Sequence, residues 1–145
     1  EGRFGNNKTF FVETDDLTAP RALRHQVFVV EQGVDPAEEW DDLDGDALHL
    51  LALDGDAPLG TARLLQKGDL GKIGRVCVTR AARGRGIGAD LIRAGEDRLR
   101  AMGCLRARLG AQCHAIPFYE KLGFVAFGPI YDDAGIPHRD MEKPL

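Results

Sequence analysis

Arg83-Gly84-Arg85-Gly86-Ile87-Gly88 sets three glycines within five positions and places two arginines among them. Glycine lets a backbone come close to a ligand and turn its N–H groups toward it. An apolar run, Ile73-Gly74-Arg75-Val76-Cys77-Val78, precedes the loop, and an amphipathic segment over 87–102 follows it. A helix that starts there adds unpaired N–H donors and the positive end of its dipole. Together with the arginines, these groups make a site for a pyrophosphate.

Three kinds of phosphate loop could look like this. A P-loop ends in Gly-Lys-Ser/Thr, which is missing. A dinucleotide fingerprint matches Gly84, Gly86 and Ala89, but residues 79–83 separate it from the strand. The acidic residue it needs roughly 20 positions on is replaced by Cys104-Leu105-Arg106. The third pattern is R-x-x-G-x-G, fitted by Arg83, Gly86 and Gly88. It resembles motif A of the GNAT superfamily of acetyl-CoA-dependent N-acetyltransferases. A glycine-rich turn without a ligand is the plain alternative. The arginines and the strand–helix context argue against it.

A second stretch carries the same resemblance. Gln112-Cys113-His114-Ala115-Ile116-Pro117-Phe118-Tyr119-Glu120-Lys121-Leu122-Gly123-Phe124 is similar to motif B of GNAT enzymes, A-I-x-F-Y-E-K-x-G-F. The resemblance implies acetyl-CoA as cosubstrate, with the backbone of Val76, Cys77 and Val78 pairing with the pantetheine amides. It implies that Arg83, Gly84, Arg85, Gly86, Ile87 and Gly88 hold the pyrophosphate and that Gln112 hydrogen-bonds the cofactor. Tyr119 would sit near the sulfur. A phenol, with pKa about 10, can donate to a departing thiolate, whose acid has pKa about 8.5. The alternative for Tyr119 is a core aromatic with a bonded hydroxyl. Phe118 reads as packing.

Further segments narrow the resemblance to the ElaA-like and YjcF-like GNAT proteins. Arg24-His25-Gln26-Val27-Phe28-Val29-Val30-Glu31-Gln32 matches their R-x-x-V-F-V-x-E-Q opening. The acidic stretch over 41–49 ends in His49 as theirs does, and 133–141 matches D-x-G-I-P-H-x-x-M. Gly74-Arg75-Val76 and Ala111-Gln112-Cys113-His114 are close to the same pattern. One departure matters: Gly74 and Arg75 stand where many relatives carry a glutamate base. The base is then sought among His114, Glu31, His49 and Asp44, with solvent as the other receiver of the proton. Arg24 reads either as an ion-pair partner or as a clamp on the acceptor.

These residues need elements to position them. Apolar alternation and turn residues predict strands over 9–13, 48–53, 59–65, 72–79, 105–111, 124–130 and 138–143. A hairpin turn falls at Asp54-Gly55-Asp56. A first helix should begin at an N-cap Thr18 and carry Leu23, Val27 and Val30 on one face. The helix over 87–102 has Ile87, Leu91, Leu99 and Met102 on one stripe. Arg93, Glu96, Asp97 and Arg100 lie largely opposite, and Gly103 ends the helix. A short helix covers 115–122. Residues 33–46 read as an acid-rich loop. The order gives an α/β mix with hairpins first and crossover helices later. The resemblance implies the GNAT fold: a mixed, mostly antiparallel sheet with a splayed central strand pair and flanking helices.

Size and charge agree with one domain over 1–145, in which residues 1–7 read as disordered or non-native. Net charge is −4, which argues against a nucleic-acid partner. No apolar run reaches a membrane span of roughly 20 residues. Three cysteines without C-x-x-C spacing favour a reduced, cytoplasmic protein. Asp41-Asp42-Leu43-Asp44-Gly45-Asp46 fits no calcium loop, and no metal site is expected. If that run borders the acceptor site, it would draw a cationic amine or peptide N-terminus. The expected partners are a small-molecule or peptide amine and, as the resemblance allows, a second copy of the chain. Two other functions stand beside acetyl transfer: a non-catalytic acyl-CoA sensor, which the missing glutamate favours, and an acyltransferase like the acyl-homoserine lactone synthases.

Overall fold

A computed structural model of the chain describes residues 2–3 and 9–145. The expectation for residues 1–7 falls largely outside the described residues.

Eight strands form one sheet in the order β1-β2-β3-β4-β5-β6-β8-β7. They are β1 (Gly2–Arg3), β2 (Thr9–Thr14), β3 (Leu48–Asp54), β4 (Ala57–Lys67), β5 (Leu70–Val78), β6 (Arg106–Gln112), β7 (Val125–Asp133) and β8 (Ile136–Pro144). Neighbours run antiparallel except β5 and β6, which are parallel. Helices are α1 (Thr18–Arg24), α2 (Pro36–Glu39), α3 (Ile87–Ala101) and α4 (Ile116–Lys121). This is the expected GNAT architecture.

Side-chain alternation gives the sheet two apolar faces. Leu50, Ala52, Ala62, Leu64 and Ile73 pack with Ile87, Leu91 and Leu99 of α3. On the other face Leu51 and Cys77 meet Leu23 and Val27. Gly71 lets α3 approach, since a Cβ there would lie 2.5 Å from Leu99 Cδ2. Burying these side chains is what holds both helix layers on the sheet.

Four local expectations need correction. Helix α1 starts at Thr18 itself, whose N–H donates to Asp16 Oδ1 at 3.0 Å, so Thr18 is not the N-cap. The helix then continues as a π-helix over His25–Glu31, with Gln32 N–H reaching Val27 O at 3.0 Å. The wider π turn shifts the 3.6-residue stripe, and Val30 ends 58% exposed. In α3, Glu96 is buried rather than opposite the stripe, because Lys143 of β8 reaches it at 2.8 Å. Residues 33–46 are not all loop: α2 and a 3-10 turn at Asp44–Asp46 lie inside them, and Asp44 is buried although most of the stretch is exposed.

Candidate active site

The central feature is a gap between two strands. β5 and β6 pair at Leu70–Arg106, Gly71–Ala107 and Lys72–Arg108, and at no later residue. Beyond this point β5 carries a bulge against β4, with Arg75 in the left-handed region at φ 51°. A bulge bends the strand and re-aims its groups. β6 instead follows β8 to its end at Gln112.

The bulged strand turns alternate backbone groups toward the gap. Thr79 N–H donates to Leu59 O at 2.8 Å, and Cys77 O lies against Gly60 of β4. Val76 and Val78 therefore face away from β4. Of the three residues named for this role, Cys77 is not available: its backbone faces β4 and its side chain is in the α1 core. Burial pushes its thiol up to about 12.

The 83–88 loop opens α3. Gly84 and Gly86 have φ of 81° and 77°, conformations that favour glycine. Gly86 caps α3 without a side-chain bond, and the first helical N–H to find a carbonyl is Asp90's, on Gly86 O at 3.1 Å. The N–H groups of Ile87, Gly88 and Ala89 are thus left for a ligand. Phe118 of α4 packs edge-on against Tyr119 beside Gly88 and is half-exposed. The two arginines differ. Arg83 donates through Nε to Val78 O at 3.1 Å and through Nη2 to Glu31 Oε1 at 2.6 Å. Arg85 is exposed and has no partner among the described residues.

A cavity of about 620 Å³ occupies the splay. Tyr119 and Gln112 line it with Phe28, Arg75, Tyr131 and His138. Tyr119 packs edge-on to Phe118 and Phe124, and its hydroxyl has no partner among the described residues. Burial raises its phenol, which keeps the proton at neutral pH.

The base candidates fare differently. Asp44 is pinned by Arg24 at 2.8 Å and Arg63 at 3.2 Å. Burial alone would raise its carboxyl, but the two guanidiniums outweigh it and hold it at about 2. His49 is buried, with Nε2 on Asp44 O at 3.0 Å. Glu31 carries Arg83. His114 Nε2 bonds Gln112 Oε1 at 2.7 Å, and Gln112 Nε2 donates to Gln32 Oε1 at 2.9 Å. Gln112 is therefore tied to α1's end and to His114, while Arg24, 1% exposed, is an ion-pair residue between Glu39 and Asp44 and no clamp. Asp41 takes Arg63 and Arg75. Internal arginines thus neutralise Asp41 and Asp44, while Asp42 and Asp46 stay exposed without an ion-pair partner among the described residues. The sequence singled out neither Tyr131 nor the ring of His138; only the D-x-G-I-P-H pattern pointed to their neighbourhood.

Residues 14–145 match the acetyltransferase (GNAT) domain. The chain belongs to this family, whose members are acetyltransferases that use an acyl-CoA cosubstrate. It is 38% identical over 122 residues to the uncharacterised N-acetyltransferase YjcF of Bacillus subtilis, covering 83% of this chain and 87% of that one. It is 35% identical over 139 residues to protein ElaA of Escherichia coli, covering 92% and 91%. The crystal structure of an acyl-CoA N-acyltransferase from Pseudomonas aeruginosa superposes with a TM-score of 0.82 at 34% identity, covering 93% of this chain and 99% of that one.

Proposed function

We propose that this acetyltransferase moves the acetyl group of acetyl-CoA directly to a primary amine within a ternary complex. The carrying observation is the open edge of β5 at Val76 and Val78, beside an uncapped α3 N-terminus and in reach of the cavity that Tyr119 lines. Val76 and the N–H of Val78, whose carbonyl Arg83 holds, would take the pantetheine amides. The N–H groups of Ile87 and Gly88, with Arg85, would take the pyrophosphate, while Gly84 and Gly86 shape the loop and Arg83 braces it. Acetyl-CoA supplies the thioester. Tyr119 would protonate the departing sulfur. Glu38 and Asp133 line the cavity without side-chain partners among the described residues and would be the groups that attract a cationic acceptor.

No helix among the described residues is long and apolar enough to cross a membrane. Three free cysteines support a cytoplasmic setting. Exposed Val125 and Ile130 on the sheet-edge strand β7 support a homodimer, which light scattering would test.

The test is a panel of small amines and peptide N-termini with acetyl-CoA, read by thiol release. Release that depends on one class of amine is expected. Tight acetyl-CoA binding without release for any amine would favour the sensor reading instead.

A further inference from the structure

Transfer to an amine that arrives as an ammonium needs a group to take its proton, and none of the candidates named from sequence, His114, Glu31, His49 and Asp44, lines the cavity. We infer that His138 is that base, acting through Nε2; the inference rests on the acetyl-transfer reading above.

The tautomer is set by one contact. His138 Nδ1 lies 2.7 Å from Ile136 O. A carbonyl oxygen only accepts, so Nδ1 carries the hydrogen and the neutral ring keeps its lone pair on Nε2. Nε2 has no hydrogen-bond partner among the described residues, and His138 lines the same cavity as Tyr119. The ring is held by stacking on Tyr131, with centroids 5.9 Å apart and planes at 25°. Tyr131 is fixed in turn, its hydroxyl donating to Asp140 Oδ1 at 2.7 Å. Gly110 makes room for that hydroxyl: a Cβ there would lie 2.5 Å from it. A ring with a fixed tautomer, a stacked face and one basic nitrogen left free is how a protein presents a base.

The topology brings this base to the acid. His138 pairs with Gln112 across β6 and β8. Gln112 is the last residue of β6 before the turn that leads into α4 and Tyr119. The charged and titratable groups that line the cavity with the ring at this end are Tyr131 and Asp133 from β7, Asp140 from its own strand and Arg108 from β6, while the neighbouring Arg139 turns to Gly128 O. Cys113 and His114 follow Gln112 in the turn, and His114 is drawn to Gln112.

The protons balance. His138 Nε2 takes one proton from the acceptor ammonium, which frees the nitrogen lone pair. That nitrogen bonds to the acetyl carbonyl carbon, and the carbon–sulfur bond breaks. Tyr119 gives the sulfur its proton. The second proton of the nitrogen restores the phenol through solvent, and the imidazolium releases its proton to bulk water.

The test uses an amine that the wild-type protein acetylates and follows kcat/KM from pH 6 to 10. His138→Asn keeps an N–H donor for Ile136 O but has no basic nitrogen; His138→Ala opens space for added imidazole. At pH 7 the Asn variant should lose about a hundredfold in rate. The loss should shrink as pH nears the amine's own pKa of about 10. Acetyl-CoA affinity by calorimetry should stay within about twofold, and imidazole should restore part of the Ala variant's rate. Variants with the wild-type rate and pH profile would overturn the inference while leaving acetyl transfer intact. A loss that is equal at every pH and unrescued by imidazole would also overturn it, as a structural effect. A wild-type protein that acetylates no amine would overturn the acetyl-transfer reading and this inference with it.

Discussion

Arg83 and Glu31 join at 2.6 Å across 52 positions of sequence, tying the phosphate-type loop to the π-helical end of α1. The next residue, Gln32, bonds Gln112 at the end of β6 at 2.9 Å. Two consecutive side chains of one helix end thus hold both sides of the splayed strands. The sequence offers Glu31 as a base; in the structure its carboxylate holds Arg83. Glu31→Gln should therefore loosen the loop and lower coenzyme A affinity by about fivefold or less, as a partly exposed ion pair allows. Its rate at saturating acetyl-CoA should stay close to wild type from pH 6 to 9. A rate lowered at every pH in that range would return Glu31 to a catalytic role.

Arg85 has no partner among the described residues, whereas Arg83 holds Val78 O and Glu31. Arg85→Ala should weaken coenzyme A by tenfold or more, since a hydrogen bond to a charged group is worth about 1.5–3 kcal/mol. The affinity of a pantetheine that lacks the nucleotide should not change, and neither should the melting temperature. Arg83→Ala should lower affinity for both ligands, because it releases Val78 O and Glu31 together. Titration of each variant with both ligands distinguishes the two arginines.

Tyr119 carries a hydroxyl that no described residue holds. Tyr119→Phe should leave the fold and acetyl-CoA affinity unchanged and lower turnover by about a hundredfold or more. A fall of less than threefold, measured at saturating substrates, would leave Tyr119 with packing alone.

The ion-pair group under α1 and α2 makes stability depend on acid pH. Asp44 titrates at about 2 in the fold against an ordinary 3.8. Its stabilising contribution is present above pH 3.8 and is lost as pH falls through about 2. Its size is about 2 kcal/mol. Asp41 is also lowered: burial would raise it, but Arg63, the Leu43 N–H and Arg75 together outweigh that. Acid unfolding followed by circular dichroism should steepen between pH 4 and pH 2, and Asp44→Asn should flatten that limb. Arg24→Met should cost up to about 3 kcal/mol at neutral pH, because it removes the nearest partner of two buried carboxylates and leaves Asp44 to Arg63 and Glu39 to Arg75. Chemical denaturation measures it.

The glycine loop, the motif around Tyr119 and the strand–helix order were legible in the sequence because each depends on near neighbours. Gly84 and Gly86 are glycines for their own positive φ, and the α3 stripe of Ile87, Leu91 and Leu99 follows from a 3.6-residue period. Local conformation of this kind is set within a few residues, so spacing reveals it. Val30 was misplaced because a π turn is decided by packing rather than by pattern. Which partner each charged or polar side chain takes was not legible. Arg24 finds Asp44 across 20 positions, Arg83 finds Glu31 across 52, and Gln112 finds Gln32 across 80. Whether a carboxylate is a base, a brace or a buried counter-ion depends on which guanidinium the folded chain sets beside it, because pairing acts through space with no period to mark it. For the same reason His138 looked in sequence like one letter of a closing motif. Only the folded chain gave its Nδ1 a carbonyl, its face a tyrosine and its other nitrogen an open cavity.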